Sequence, residues 1–232
     1  MRLAAAALLV FALAGPAHAQ PVAAEYAEPT TRYDHAVLGD AVEWGALRVR
    51  DAARGWVTFR LPESLVFEDT APRLADVTGD GRNEVVVVES HRDLGARLAV
   101  YSEAGRRAAT PFIGQTHRWL APVGVADFDG DGAPEVAYVD RPHLAKTLRL
   151  WRFSGDEPVQ IAALAGVTNH RIGWDFIAGG VRDCGAGPEM VLASADWREV
   201  VGVRLETGAL IGTPLGPLAS LDDMAEALAC RR

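Results

Sequence analysis

One pattern of alternating acids occurs twice in this chain, between short apolar runs. LADVTGDGRNEV starts at Leu74 and VADFDGDGAPEV at Val125. The first places Asp76, Asp80 and Glu84 at positions 1, 5 and 9 of a loop. The second places Asp127, Asp129, Asp131 and Glu135 at positions 1, 3, 5 and 9, 51 residues later (127 minus 76). Carboxylates this close repel one another unless a cation lies among them. The flanking runs are strand-length and rich in β-branched residues. Such a chain must fold as repeated strand–loop–strand units, and one unit cannot bury its apolar faces alone.

The repetition extends beyond the loops. Residues 67–115 and 116–165 each read as strand, acidic loop, strand, loop, strand, turn, strand. Residues 166–216 repeat the order with a damaged loop, VRDCGAGPE. Residues 33–66 resemble the last three strands of a unit. Four-stranded units of about fifty residues are the signature of propeller blades. The expectation is therefore an all-β propeller of about four blades, the first incomplete. A stacked β-solenoid or sandwich is the alternative. AVLG, ALRV, WVTF and DFIAG are among the expected strands. Residues 20–32 carry two prolines and no periodicity, and read as a flexible leader. A helical period occurs only within 217–232, in SLDDMAEALACRR, where Ser220 is placed to cap and Asp222 and Asp223 fall in the first turn.

Residues 1–19 have the plan of a secretory signal peptide: Arg2, an apolar core from Leu3 to Ala14, then Ala17-His18-Ala19. The core is short for a membrane anchor. The expected location is periplasmic or secreted. Removing Arg2 takes the formal charge from −8 to −9. An acidic chain with no basic run is a poor partner for nucleic acid or an anionic membrane, and no membrane insertion is expected. Two cysteines, Cys184 and Cys230, remain for an oxidising compartment, and a disulfide between them is the simple reading. The other is a buried free thiol and a terminal one.

In the second loop Asp127, Asp129 and Asp131 alternate, Gly132 permits a sharp turn, Ala133 offers its carbonyl and Glu135 follows. This dense set of hard oxygens suits Ca²⁺. The first loop offers Asp76, Thr78, Asp80, the Arg82 carbonyl and Glu84, with Thr78 a neutral and weaker ligand. About two calcium ions are expected; solvated Asp-Gly turns are the alternative. An EF-hand is excluded by Tyr138 at position 12 and by the flanking strands. In the third loop Asp183 and Glu189 persist, but Val181 and Gly185 stand where acids are needed. Cys184 is expected to pin that turn instead.

ADFDGDGAPEV and ADVTGDGRNEV resemble the calcium loop of the FG-GAP/VCBS repeats, the repeat of the integrin α-subunit propeller. The resemblance covers Phe67 to Gly216, closely in two units and weakly in the third. It implies a β-propeller with Ca²⁺ in the turns between first and second strands, and binding of a protein or glycan. The Phe-Gly and Gly-Ala-Pro half-motifs are missing, with Phe112-Ile113-Gly114 and Leu164-Ala165-Gly166 the nearest pieces.

On the face opposite the acidic loops, the joins between units carry His117, Arg118, Trp119, His170, Arg171 and Trp174. The loops between second and third strands add Glu43-Trp44, His91-Arg92-Asp93, Arg141-Pro142-His143 and Trp197-Arg198-Glu199. Tryptophan and arginine are favoured at binding hot spots. The six join residues are therefore the candidate ligand set for an unidentified protein or glycan; packing between units is the alternative. The competing class is a calcium-dependent hydrolase or lyase acting on glycans or phosphoesters. Phosphate-loop, HExxH and GxSxG motifs are missing, and Asp175 beside Trp174 and His170 is a lone acid–base candidate. A binding module that is not an enzyme is the leading expectation.

Overall fold

The computed structural model describes residues 19–153, 155 and 157–232, so the expected signal peptide lies almost wholly outside the described residues. The fold is all-β, with three antiparallel sheets and one short helix. The first sheet opens with β1 (Pro21–Thr30), β2 (Glu43–Asp51) and β3 (Gly55–Arg60), with β2 in the middle. It continues through β4 (Leu65–Phe67), β5 (Arg73–Ala75), β6 (Glu84–His91), β7 (Gly95–Ser102) and β8 (Gly105–Ala109). Strands β4 and β5 pair with the same β6, so they are one first strand interrupted at 68–72. Among the described residues, β2 and β4 share a single ladder pair, Trp44 opposite Phe67.

The second sheet is β9 (Leu120–Ala126), β10 (Glu135–Asp140), β11 (Thr147–Arg152) and β12 (Val159–Ala165) in sequential order. The third combines β13 (Val167–Thr168) and β14 (Gly180–Asp183) on one side of β15 (Pro188–Ser194), followed by β16 (Glu199–Glu206) and β17 (Ala209–Pro217). Helix α1 (Leu221–Leu228) ends the chain. Ser220 caps it as expected: its side chain accepts the Asp222 N–H, and Asp223 completes a capping box.

Strand alternation assigns the cores. In β6, Val85 and Val87 face Leu47, Val49 and Phe67 of the first two units, while Val86 and Val88 face Trp119, Leu120 and Val136 of the next. In β10, Val136 and Tyr138 belong to that second core, and Ala137 and Val139 to a third core with Met190 and Leu192. In β15, Val191 and Ala193 face Met224 and Ala227 of α1. The central strands are apolar on both faces because each is sandwiched between neighbouring layers. The last layer is covered by α1, and the first and fourth units also reach the second core, where Val37 is buried and Leu38 and Ile177 pack against it. They meet through loops, where the Gly173 N–H donates to the Val37 carbonyl at 3.1 Å.

Three expectations about elements need correction. Residues 20–32 are not a loose leader, because β1 supplies the strand that the opening unit lacked. It is an edge strand, where proline is tolerated, and Tyr26 stacks on Phe67 with centroids 5.4 Å apart. AVLG is not a strand: it lies in an irregular segment that buries Val37, with Ala36 and Gly39 both at positive φ. DFIAG is likewise irregular, and it precedes β14. The four-unit order and the two complete acidic loops lie where expected.

Candidate functional site

Each acidic loop is built by its own first and last carboxylates. Asp127 at the end of β9 accepts the N–H groups of Gly130 (2.8 Å), Asp131 (3.1 Å) and Gly132 (2.9 Å). Glu135, at the start of β10, reaches back to the Phe128 N–H at 2.9 Å. The first loop repeats the device: Asp76 accepts from Gly79 and Gly81 at 2.7 Å each, and Glu84 from Val77 at 3.0 Å. These bonds hold the loop turned in on its acids. The loops also touch: a Cβ on Gly79, at φ +74°, would lie 3.1 Å from the Gly132 carbonyl oxygen.

The two loops differ in convergence. In the second, one oxygen each of Asp127, Asp129 and Glu135 lies within 4.8 Å of the others. Among the described residues this is the one such group of acids or histidines, so Asp76, Asp80 and Glu84 do not converge as closely. The converging group leaves out Asp131, and its Asp129 is replaced in the first loop by Thr78, so the first loop lacks the third acid; arginines also engage its remaining acids. Arg82, expected to offer only its carbonyl, turns its guanidinium onto Asp80 at 2.7 Å, and Arg107 pairs with Glu84 at 3.1 Å. The hydrogen bond from Arg82 holds Asp80 below the usual carboxylate range. In the second loop Arg152 pairs with Asp129 (3.1 Å), Asp131 (2.8 Å) and Glu135. Formal charge then separates the loops. Three acids less two arginines leave −1 in the first, while four acids less one leave −3 in the second. The second is an all-oxygen donor set with charge to spare, which fits a hard divalent cation. Thr78 Oγ1 turns toward Glu84 at 3.5 Å, and Ala133 donates its N–H to Asp131 at 2.8 Å, the largest influence lowering that carboxyl.

The third loop is pinned as expected by a Cys184–Cys230 disulfide with Cα atoms 5.7 Å apart. Arg182 adds a second tie that the sequence reading missed. Its Nε donates to Glu189 at 2.6 Å, and its Nη1 to the Ala227 carbonyl at 2.6 Å and the Arg232 carbonyl at 2.9 Å. At this loop position the other units use a backbone N–H to hold the glutamate. Here a side chain does so and secures the end of α1 as well.

The strands place the six candidate ligand residues at the opposite end from these loops: β9 runs from Leu120, beside Trp119, to Ala126 at the acidic turn. Two of the six are not surface groups. Trp119 is 2% exposed, sits in the second core and donates Nε1–H to the Glu68 carbonyl at 2.8 Å. His170 is 1% exposed and shares a 2.9 Å contact with His143, while its Nε2 lies 2.9 Å from the Trp174 carbonyl. Burial lowers the pKa of both histidines, that of His143 to about 4. Trp119 and His170 thus pack between units rather than standing on the surface, and each reaches the wall of one concavity on this face.

His117, Arg118, Arg171 and Trp174 remain accessible. Two concavities flank them. One of about 280 Å³ is lined by His35, His117, Arg118, Arg141, His143 and Ile172 among others. The other, about 460 Å³, adds Lys146, Arg171 and Trp197. Between them Ile172 is 71% and Leu144 63% exposed. The Arg171 guanidinium lies 4.6 Å over Trp197, and Trp174 packs edge-on to Trp197 and stacks on Phe176. His35 stacks on His117, 5.1 Å between centroids, and hydrogen-bonds Glu68 at 2.6 Å. His35 stands one residue before the AVLG run read as a strand, outside the loops and joins that the sequence singled out.

Residues 76–138, which span both acidic loops, match the model of the FG-GAP-like repeat family. No curated protein matches the chain. Among the described residues no helix is long and apolar enough to cross a membrane.

Proposed function

We propose that the protein is an exported, calcium-stabilised propeller of four units that binds a protein partner through its histidine-, arginine- and tryptophan-bearing face. The observation that carries this reading is the division of labour between the two ends of the strands. One end gathers carboxylates for a cation. The other presents Ile172 and Leu144 beside an Arg171–Trp197–Trp174 cluster. Residues 127–135 would hold the tighter calcium, through Asp127, Asp129, Asp131 and Glu135, and residues 76–84 a weaker one. The ion supplies charge neutralisation that fixes the turn, and the protein side chains supply everything else. The 33–42 segment joins the first unit to the last through the bond from the Gly173 N–H to the Val37 carbonyl, which supports a closed ring, and α1 covers the last unit alone. An exposed apolar pair favours a protein over a glycan, because sugars offer few partners for aliphatic side chains. Binding rather than turnover is proposed, since carboxylates held by a cation are unavailable for proton transfer.

The test is cross-linking in the exported fraction with wild-type protein and with Ile172→Asp and Arg171→Ala. Each substitution should abolish the same cross-linked product while leaving the melting temperature within about 2 °C, as expected for exposed positions. A product retained in both variants, or saccharide binding with no protein product, would overturn the partner assignment. Turnover of glycans or phosphoesters would overturn the proposed role.

A further inference from the structure

We propose that a pocket of about 190 Å³ on the first unit, lined by Asp40, Glu43, Trp44, Asp69 and Asp175, binds an organic cation of the alkylammonium or guanidinium type, with the Glu43 carboxylate as its counter-charge. The pocket lies where the 33–42 segment and Asp175 meet the 68–72 interruption of the second unit's first strand. It is separate from the acidic loops and shares no lining residue with the two concavities of the docking face.

The key observation is Glu43. Its side chain is 2% exposed, and no hydrogen bond or ion pair reaches its carboxylate among the described residues. Every other buried carboxylate is answered. Asp69 holds Arg73, Glu84 holds Arg107, Glu89 holds Arg97, Glu135 holds Arg152, Asp140 holds Arg149 and Glu189 holds Arg182. Glu68 has His35 and Ser90, and Asp51 accepts two backbone N–H groups through Oδ1, while its Oδ2 has no partner among the described residues. A buried carboxyl without a partner is costly, so its retention calls for a role. This fold meets buried carboxylates with guanidinium groups almost everywhere, and the position facing Glu43 has none.

The surroundings favour a cation from outside the chain. Asp40, Glu68 and Asp69 face Glu43 with like charge, and Tyr33 adds a hydroxyl. The nearby basic side chains are committed, Arg73 to Asp69 and His35 to Glu68. Burial first, then these carboxylates, push Glu43 up to about 9, so it is protonated in the empty pocket at neutral pH. An entering cation would ionise it and release that proton to solvent. A metal ion is a poorer fit, because these carboxylates do not form a close group like that of Asp127, Asp129 and Glu135. Leu38, Val42 and the Trp44 indole provide apolar walls for an alkyl stem. The same cationic group can belong to a free amine or to a lysine or arginine side chain of another protein.

Calorimetric titration at pH 7 with agmatine, n-butylammonium and a capped Gly-Arg-Gly peptide, in EDTA and amine-free buffers of different ionisation enthalpy, tests the assignment. Saturable binding of one or more probes is expected, with release of about one proton per ligand. Glu43→Gln should weaken it by about ten-fold or more, since a charge-assisted bond is lost, without lowering the melting temperature. Tighter binding of the free amines marks a small-molecule site; tighter binding of the peptide marks a side-chain pocket. Repeating the titration with Asp129→Ala separates this site from the calcium reading, since cation binding should persist. Absence of binding by all three probes, equal binding by Glu43→Gln, no proton release, or Ca²⁺ or Mn²⁺ binding lost on Glu43→Gln would each overturn the proposal.

Discussion

Arg152 sits where a loop cation would have to compete with it. Its guanidinium already bridges Asp129, Asp131 and Glu135, so a calcium ion proposed there would draw on oxygens that Arg152 holds. Arg152→Gln should therefore lower the melting temperature in chelator and enlarge the gain on adding calcium, both read from paired melting curves. An unchanged calcium gain would show that the two do not share ligands. Titrating residues make a second prediction. His143 has a folded pKa of about 4 against 6.5, so the unfolded chain takes the proton first and stability falls as pH drops from 6.5 to 4. Glu43 has a folded value of about 9 against 4.5, so the unfolded chain loses its proton first. The stability it allows is complete below pH 4.5 and declines as pH rises toward 9. The two slopes oppose between 4.5 and 6.5, and Glu43 acts alone above that. In amine-free buffer, Glu43→Gln should remove the decline between pH 6.5 and 9; parallel curves for variant and wild type would contradict this. None of these partners was legible in the sequence. Arg152 is 17 residues from Glu135, and nothing in the local pattern pairs them.

At the scale of elements, β1 and α1 close the two ends of the molecule. β1 shields one edge of β2, and its Glu25 and Glu28 pair with Arg48 and Arg60. Deleting residues 20–31 should expose that edge and the Leu47–Phe67 core, giving an aggregating product in place of a shortened monomer. A soluble, cooperatively melting truncation would contradict this. Helix α1 is held by the disulfide and by Arg182. Reduction should cost roughly 2–4 kcal/mol for a loop of this length, and Arg182→Ala roughly 3 kcal/mol by leaving Glu189 half-answered, both read from denaturant midpoints. The units were readable because β6, β10 and β15 have dense β-branched runs beside Asp-Gly turns. β1 was not, since Ala, Glu and Pro have low strand propensity and an edge strand needs only one apolar side. AVLG misled in the opposite direction: its apolar residues fill the core from an irregular segment, where period carries no information.

For the whole molecule, successive cores follow the chain, α1 covers the last, and Val37 and Ile177 bring the first and fourth units together at the second. The position of the acidic turns followed from the repeat, because every copy puts them at the same strand ends. The opposite face was legible only as a region. Sequence places Trp119 and Arg171 alike at joins between units, but one fills a core and the other lies over Trp197. That difference arises from layer packing, which the local sequence does not encode. The central claim is that a cation in the 127–135 loop stabilises a scaffold whose binding face is elsewhere. Its most direct test is the melting temperature in chelator and in millimolar calcium, for wild type, Asp129→Ala and Thr78→Ala. The account predicts a rise with calcium in the wild type by mass action, most of it lost in Asp129→Ala and most of it kept in Thr78→Ala. An identical melting temperature with and without calcium in the wild type would contradict it.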